Sequence, residues 1–235
     1  MRRGQLFLIG LVVALAATLL APATASGGRG GPPPEVRFAT FNASLNRNFD
    51  GQLQADMSVP GNAQADAVAE IIQRVNPDVL LLNEFDYDEN GVALQGFIDN
   101  YLAVPHGDAA AITDYHYTFI AESNTAIHSG FDLDNDGIID TNAAPFNFTY
   151  ANDAFGFGWF PGQFGMAVLS RYPIDEAAVR TFQRFLWKDM PGALLADDPS
   201  TPDPADWYSP EELEVVRLSS KSHWYIPILF DVRTV

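Results

Sequence analysis

Glu84 closes the apolar run Asp78-Val79-Leu80-Leu81-Leu82-Asn83-Glu84, and Asn42 closes an earlier one, Val36-Arg37-Phe38-Ala39-Thr40-Phe41-Asn42. A carboxylate at the mouth of a sheet is a seat for a hard divalent cation. An amide beside it can hold a phosphate oxygen or a metal-bound water. Together they point to metal-assisted attack on a phosphoester, where a cation neutralises charge developing on the phosphoryl oxygens. Taken alone, Glu84 could equally be a solvated strand-end acid.

A second group of acids is packed into Asp132-Leu133-Asp134-Asn135-Asp136-Gly137-Ile138-Ile139-Asp140. Alternate side chains of such a stretch can turn towards one Ca2+ ion, and Gly137 permits the sharp turn. The pattern resembles the first part of an EF-hand loop, and more closely the Asp-x-Asp-x-Asp-Gly-x-x-Asp loops of thrombospondin type 3 repeats. The closing glutamate of an EF-hand is replaced by Ala143. The candidate calcium ligands are Asp132, Asp134, Asp136 and Asp140; the competing reading is an acidic, solvated turn. His106, His116 and His128 show no ligand spacing. Phe155, Phe157, Trp159 and Phe160, interleaved with glycines, read as packing over a sheet edge before they read as a stacking surface.

The elements that must position these residues follow from periodicity. Residues 36–43 and 79–82 read as strands, the second apolar on consecutive positions and so buried on both faces. Between them Ala67, Val68, Ile71, Ile72 and Val75 recur at helical spacing, which predicts a helix over 63–75 with Asn62 as its N-cap and Asn76-Pro77 as its stop. Strand–helix–strand order fits a layered α/β arrangement. Further helix is expected at 96–102, and strands at 165–170, 179–187, 213–220 and 226–232. Residues 44–61 and 188–210 read as polar or proline-rich loops. Arg171 reads as a turn anchor.

The chain has 235 residues, 47% of them hydrophobic, which is enough for a large core. It has no cysteine, which excludes disulfides, thiolate metal sites and a cysteine nucleophile. Residues 1–25 carry Arg2 and Arg3, an apolar stretch from Leu6 to Leu20 and the small-x-small sequence Ala23-Thr24-Ala25, the pattern of a cleaved export signal. Residues 26–35 read as a flexible leader and 36–235 as the folded domain, secreted and free of the membrane after cleavage. Removing Arg2 and Arg3 takes the net charge from −17 to −19. So acidic a surface argues against tight non-specific DNA binding, which depends on Lys and Arg. It leaves room for phosphoester chemistry at a bound cation.

Thr40-Phe41-Asn42, Leu82-Asn83-Glu84, the stretch from Gly165 to Ile174 (Gly-Met-Ala-Val-Leu-Ser-Arg-Tyr-Pro-Ile) and Leu218-Ser219-Ser220-Lys221-Ser222-His223-Trp224 occur in the order found in the endonuclease/exonuclease/phosphatase superfamily. The chain resembles that superfamily over residues 36 to 232. The resemblance implies an α+β fold, a four-layer α/β/β/α sandwich of largely antiparallel sheets. It implies Mg2+ or Mn2+ at Glu84, and Asn42 holding metal or scissile phosphate. The substrate would be a phosphoester, a small molecule or nucleic acid. Asn83 stands where many relatives have Gln. The later motifs of the family, a histidine, an Asp-x-Asn pair and a terminal Asp-His pair, find no match, and the resemblance does not carry the catalytic base over to His223. The chain therefore reads as the N-terminal portion of such a domain, inactive if it is the whole protein. The alternative function is a non-catalytic secreted calcium-binding module or degenerate hydrolase.

Overall fold

A computed structural model describes residues 35–230. The export signal, the leader up to Pro34 and the last residues of the strand expected at 226–232 lie outside the described residues. In chain order the elements are β1 (Phe38–Leu45), α1 (Gln52–Met57), α2 (Ala63–Val75), β2 (Val79–Phe85), α3 (Val92–Phe97) running into a π-turn (Ile98–Leu102), β3 (Tyr117–Ile120), α4 (Phe148–Asn152), β4 (Met166–Ser170), β5 (Arg180–Thr181), α5 (Pro210–Leu213) and β6 (Trp224–Tyr225). The fold is α+β.

The main sheet has the order β1-β2-β4-β3. β1 and β2 are parallel, with Thr40 beside Leu81 and Asn42 beside Asn83. β4 is antiparallel to both β2 and β3. The parallel pair follows from the α2 crossover, since a strand can return in the same direction only after such a connection. Asn62 caps α2 by accepting from the Gln64 and Ala65 amides at 3.1 Å each, and Asn76 ends it in a left-handed conformation. Val68, Ala69 and Ile72 face the sheet with Leu80, Leu82, Ala167 and Leu169 in one core that also takes in Leu94, Phe97 and Tyr101. The fully buried Tyr101 donates its hydroxyl to Val59 O at 2.6 Å and accepts from Asn62 N, fixing α3 to the α1–α2 link.

The opposite face of the sheet carries aromatic contacts from the C-terminal segment. Trp224 meets Phe119 edge-on at 5.0 Å, and Phe230 meets Tyr172 at 4.8 Å and Phe38 at 6.2 Å. β5 and β6 form a separate two-stranded antiparallel sheet.

Several expectations need correction. The loop at 44–61 contains α1, because Leu53 and Met57, one helical turn apart, are both buried. The strand expected at 179–187 shrinks to two residues. Its partner is equally short, since Pro227 lacks an N–H to extend the ladder. The strand expected at 213–220 is not formed. Ser209 and Glu212 make a capping box that holds Leu213 in α5, and only Arg217 bridges to Leu186. Of residues 226–230, Ile228 makes a single bridge to Ile174. Within the long connection at 103–163, β3 and α4 form.

Candidate active site

The sheet directions collect four loops at one end: those leaving β1, β2 and β3 and the one entering β4. Glu84 sits there with a left-handed backbone, φ +56°. The kink has a visible result. Leu82 and Phe85 both point into the helix-facing core. Unbroken alternation would have put Glu84 on that buried face and Phe85 outside; the extra twist exchanges them. β1 is irregular at the same level, between Asn42 and Leu45.

Around Glu84 the donors are amides. Asn46 Nδ2 donates to Glu84 Oε2 at 3.2 Å. Asn42, exposed and beside Asn83 in register, accepts from the Ser44 amide through Oδ1 at 3.1 Å, which leaves its Nδ2 as the free donor. Asn83 donates to Thr40 Oγ1 at 3.1 Å. Glu84 and Asn42 thus share the sheet end the sequence placed them on.

Four residues of this end were not read from the sequence as site residues. Asp86 is buried and accepts from the Arg47 amide at 2.7 Å and the Phe164 amide at 3.0 Å. Burial pushes its carboxyl up to about 7, against the pull of those two amides and of the Arg47 charge. Arg47 turns its side chain away to Asp56, at 2.6 Å. Gln163, fully buried, donates to Arg47 O at 2.5 Å and accepts from Trp159 N at 2.6 Å. Lys221 lies within electrostatic reach of Glu84 and Asp86, forms no ion pair among the described residues, and is pushed down by burial while those two acids pull it up. A lysine in the Ser-rich run after Leu218 was the available signal for it.

One wall of the site is the aromatic glycine-rich segment before β4. Tyr87 N donates to Gly162 O at 2.9 Å. Gly156 lies so close to the 219–222 segment that a Cβ there would fall 1.9 Å from Ser220 O. Asn124, fully buried, joins the same pieces: its Nδ2 donates to Gln183 O at 2.7 Å and Ser219 O at 2.6 Å, and it accepts from Arg217. Trp159 and Phe160 are buried, as packing residues should be, while Phe146, Phe148 and Phe157 surround Trp159 from the exposed side.

The acidic loop lies apart from Glu84 in sequence and serves a different cluster. Asp132 and Asp134 join Asp153, not Asp136 or Asp140. Asp136 accepts from Ile138 N, and Asp140 accepts from Asn142 N and Asn147 Nδ2.

Among the described residues, the hydrogen bond to Glu84 comes from the Asn46 amide. One carboxylate oxygen is held by Asn46 and the other has no protein hydrogen bond among the described residues, a set that suits a hard cation such as Mg2+ or Mn2+. No curated protein and no solved structure gives a significant match to the chain. The family model described as "Endonuclease/Exonuclease/phosphatase family" matches residues 39–226. That span runs from β1 to beyond β6 and takes in Asn42, Glu84 and Lys221, and the chain belongs to the endonuclease/exonuclease/phosphatase family, whose activity is metal-dependent phosphoester hydrolysis.

Proposed function

We propose that the protein is a secreted phosphoester hydrolase that holds Mg2+ or Mn2+ at Glu84. The observation that carries this reading is the left-handed kink that takes Glu84 out of the core and sets it beside Asn46, at the sheet end that also carries Asn42 and within electrostatic reach of Lys221. Left-handed backbone at a non-glycine residue costs about 1–2 kcal/mol, and such strain collects at functional sites.

A divalent cation at Glu84 would supply charge to neutralise the phosphoryl oxygens. Asn46 fixes the carboxylate through Oε2. Asn42, its carbonyl oxygen taken by Ser44, offers an N–H to a phosphate oxygen. Lys221 offers a cation with no competing ion pair among the described residues, to balance a substrate's negative charge. Asp86, taken up by two backbone amides, shapes the loop rather than binding the ion. No residue here is assigned the base that deprotonates water; His223 is exposed beside β6. Export rests on the signal-like residues 1–25. The strong negative charge favours a small phosphoester over duplex DNA.

The test is turnover of bis(p-nitrophenyl) phosphate with Mg2+ or Mn2+, beside Mn2+ binding by calorimetry. Glu84→Ala should lose roughly 100-fold or more in rate, the scale of removing one transition-state charge stabiliser, together with Mn2+ binding. Equal rates in both proteins would reject the reading. Mn2+ binding that needs Glu84 but brings no turnover would confine it to metal and phosphoester binding.

A further inference from the structure

Asp132, Asp134 and Asp153 each place a carboxylate oxygen within 4.8 Å of the other two. An ion bound at about 2.4 Å spans oxygens up to about 4.8 Å apart, so three oxygens this close can meet one Ca2+ ion. Three acids in proximity would not alone define a site. Asp153 supplies the independent observation. It is fully buried, its Oδ1 accepts from Leu133 N at 2.8 Å, and its Oδ2 is buried with no partner among the described residues. A buried, unpartnered carboxylate oxygen costs several kcal/mol unless something meets it. His128, the nearby ring, accepts from Gly130 N through Nδ1, and its Nε2 is buried with no hydrogen-bond partner among the described residues.

We propose that Asp132, Asp134 and Asp153 form a Ca2+ site, separate from the cation at Glu84. Two ligands come from the acidic loop and the third from the residue that caps α4. Asp132 is pre-set for this by the Asp136 and Gly137 amides, and Asp134 by Asn152 Nδ2 at 2.7 Å. Backbone carbonyls and water would complete the coordination.

The site has a mechanical consequence. Asp153 O also accepts from Ser129 N at 3.0 Å, and the next residues pair with 127–128. The chain then runs directly into the 154–163 wall that ends at Gln163 and the Arg47 carbonyl. Calcium at Asp153 therefore anchors the far end of a segment whose near end shapes the mouth around Glu84.

The experiment is calcium titration of metal-stripped protein by calorimetry, with thermal melts with and without CaCl2. One calcium should bind and raise the melting midpoint, as any ligand selective for the folded state does. Asp134→Asn and Asp153→Asn should each weaken binding tenfold or more, while Glu84→Ala should bind calcium as the parent does. If Asp153→Asn fails to fold, the partly exposed Asp134→Asn carries the test. No calcium binding by the parent, or unchanged affinity in Asp134→Asn, would overturn the proposal. So would loss of binding in Glu84→Ala, which would place the ion at the other site. Loss in Asp136→Asn with none in Asp153→Asn would return the ion to the loop alone and also overturn it.

Discussion

At the residue scale, Glu84 exchanges stability for position. Its φ of +56° is one a glycine adopts freely. Glu84→Gly and Glu84→Ala both delete the carboxylate, but only the first also relieves the backbone. We expect Glu84→Gly to be more stable than Glu84→Ala by about 1 kcal/mol, measured by urea denaturation, with neither binding Mn2+. Equal stabilities would mean that the backbone there carries no strain. Glu84 and Asn42 were legible in the sequence because each ends a run of apolar residues, a local feature. Asp86, Gln163 and Asp153 were not, because what gives each its meaning is distant along the chain. Asp86 is held by Phe164, Gln163 reaches back to Arg47, and Asp153 meets Asp132 and Asp134 only once α4 has folded back. The acidic loop announced its composition, but the sequence could not show that its deepest ligand stands outside it.

At the element scale, the end of the sheet opposite the site is closed by one arginine. Arg171, just past β4, bonds Asn76 at the end of α2 at 2.5 Å and Asp78 at the start of β2 at 3.1 Å, and its Nε lies 2.9 Å from Asp114, ahead of β3. This is the turn anchor expected from the sequence, widened to four elements. Partial desolvation pushes the Asp78 carboxyl up. The Arg37 amide and the Arg171 guanidinium outweigh it, so the group titrates below the ordinary carboxylate value. A carboxyl depressed in the folded state contributes stability above its unfolded pKa, near 3.8, and that stability is lost as pH falls through the folded value. Asp78→Asn should therefore be less stable than the parent at pH 7 by about 1.5–3 kcal/mol, the range for hydrogen bonds to a charged group. The gap should narrow as pH drops below about 4. Chemical denaturation at several pH values reads this directly; a constant gap would show that Asp78 does not titrate with folding. Among elements, α2 was legible to the residue because pattern, cap and stop agree within one segment. The strand expected at 179–187 kept two paired residues and the one expected at 213–220 did not form, because a strand needs a partner and a local run of residues says nothing of whether one is present.

At the scale of the whole molecule, order is distributed unevenly between the two sheets. β2 and β4 are interior strands, each paired on both sides, with Leu80, Leu82 and Leu169 at or below 1% exposure. β5 and β6 contribute two residues each, and Tyr225 is 58% exposed. A two-stranded ladder has little stability of its own and relies on what it packs against. Here that packing includes Trp224 of β6, edge-on against Phe119 of β3. The net charge of −17 adds a general repulsion that the large apolar core resists better than a small exposed ladder can. Hydrogen exchange should resolve two tiers. The amides of Leu80, Leu82 and Leu169 should open only with global unfolding. The Phe182 amide, which bonds His223 O at 2.8 Å beside β5, should exchange through a cheaper local opening, at least tenfold faster. Equal protection of both sheets would show a single cooperative unit, in which the aromatic contacts bind the second sheet as firmly as the helix-facing core binds the first.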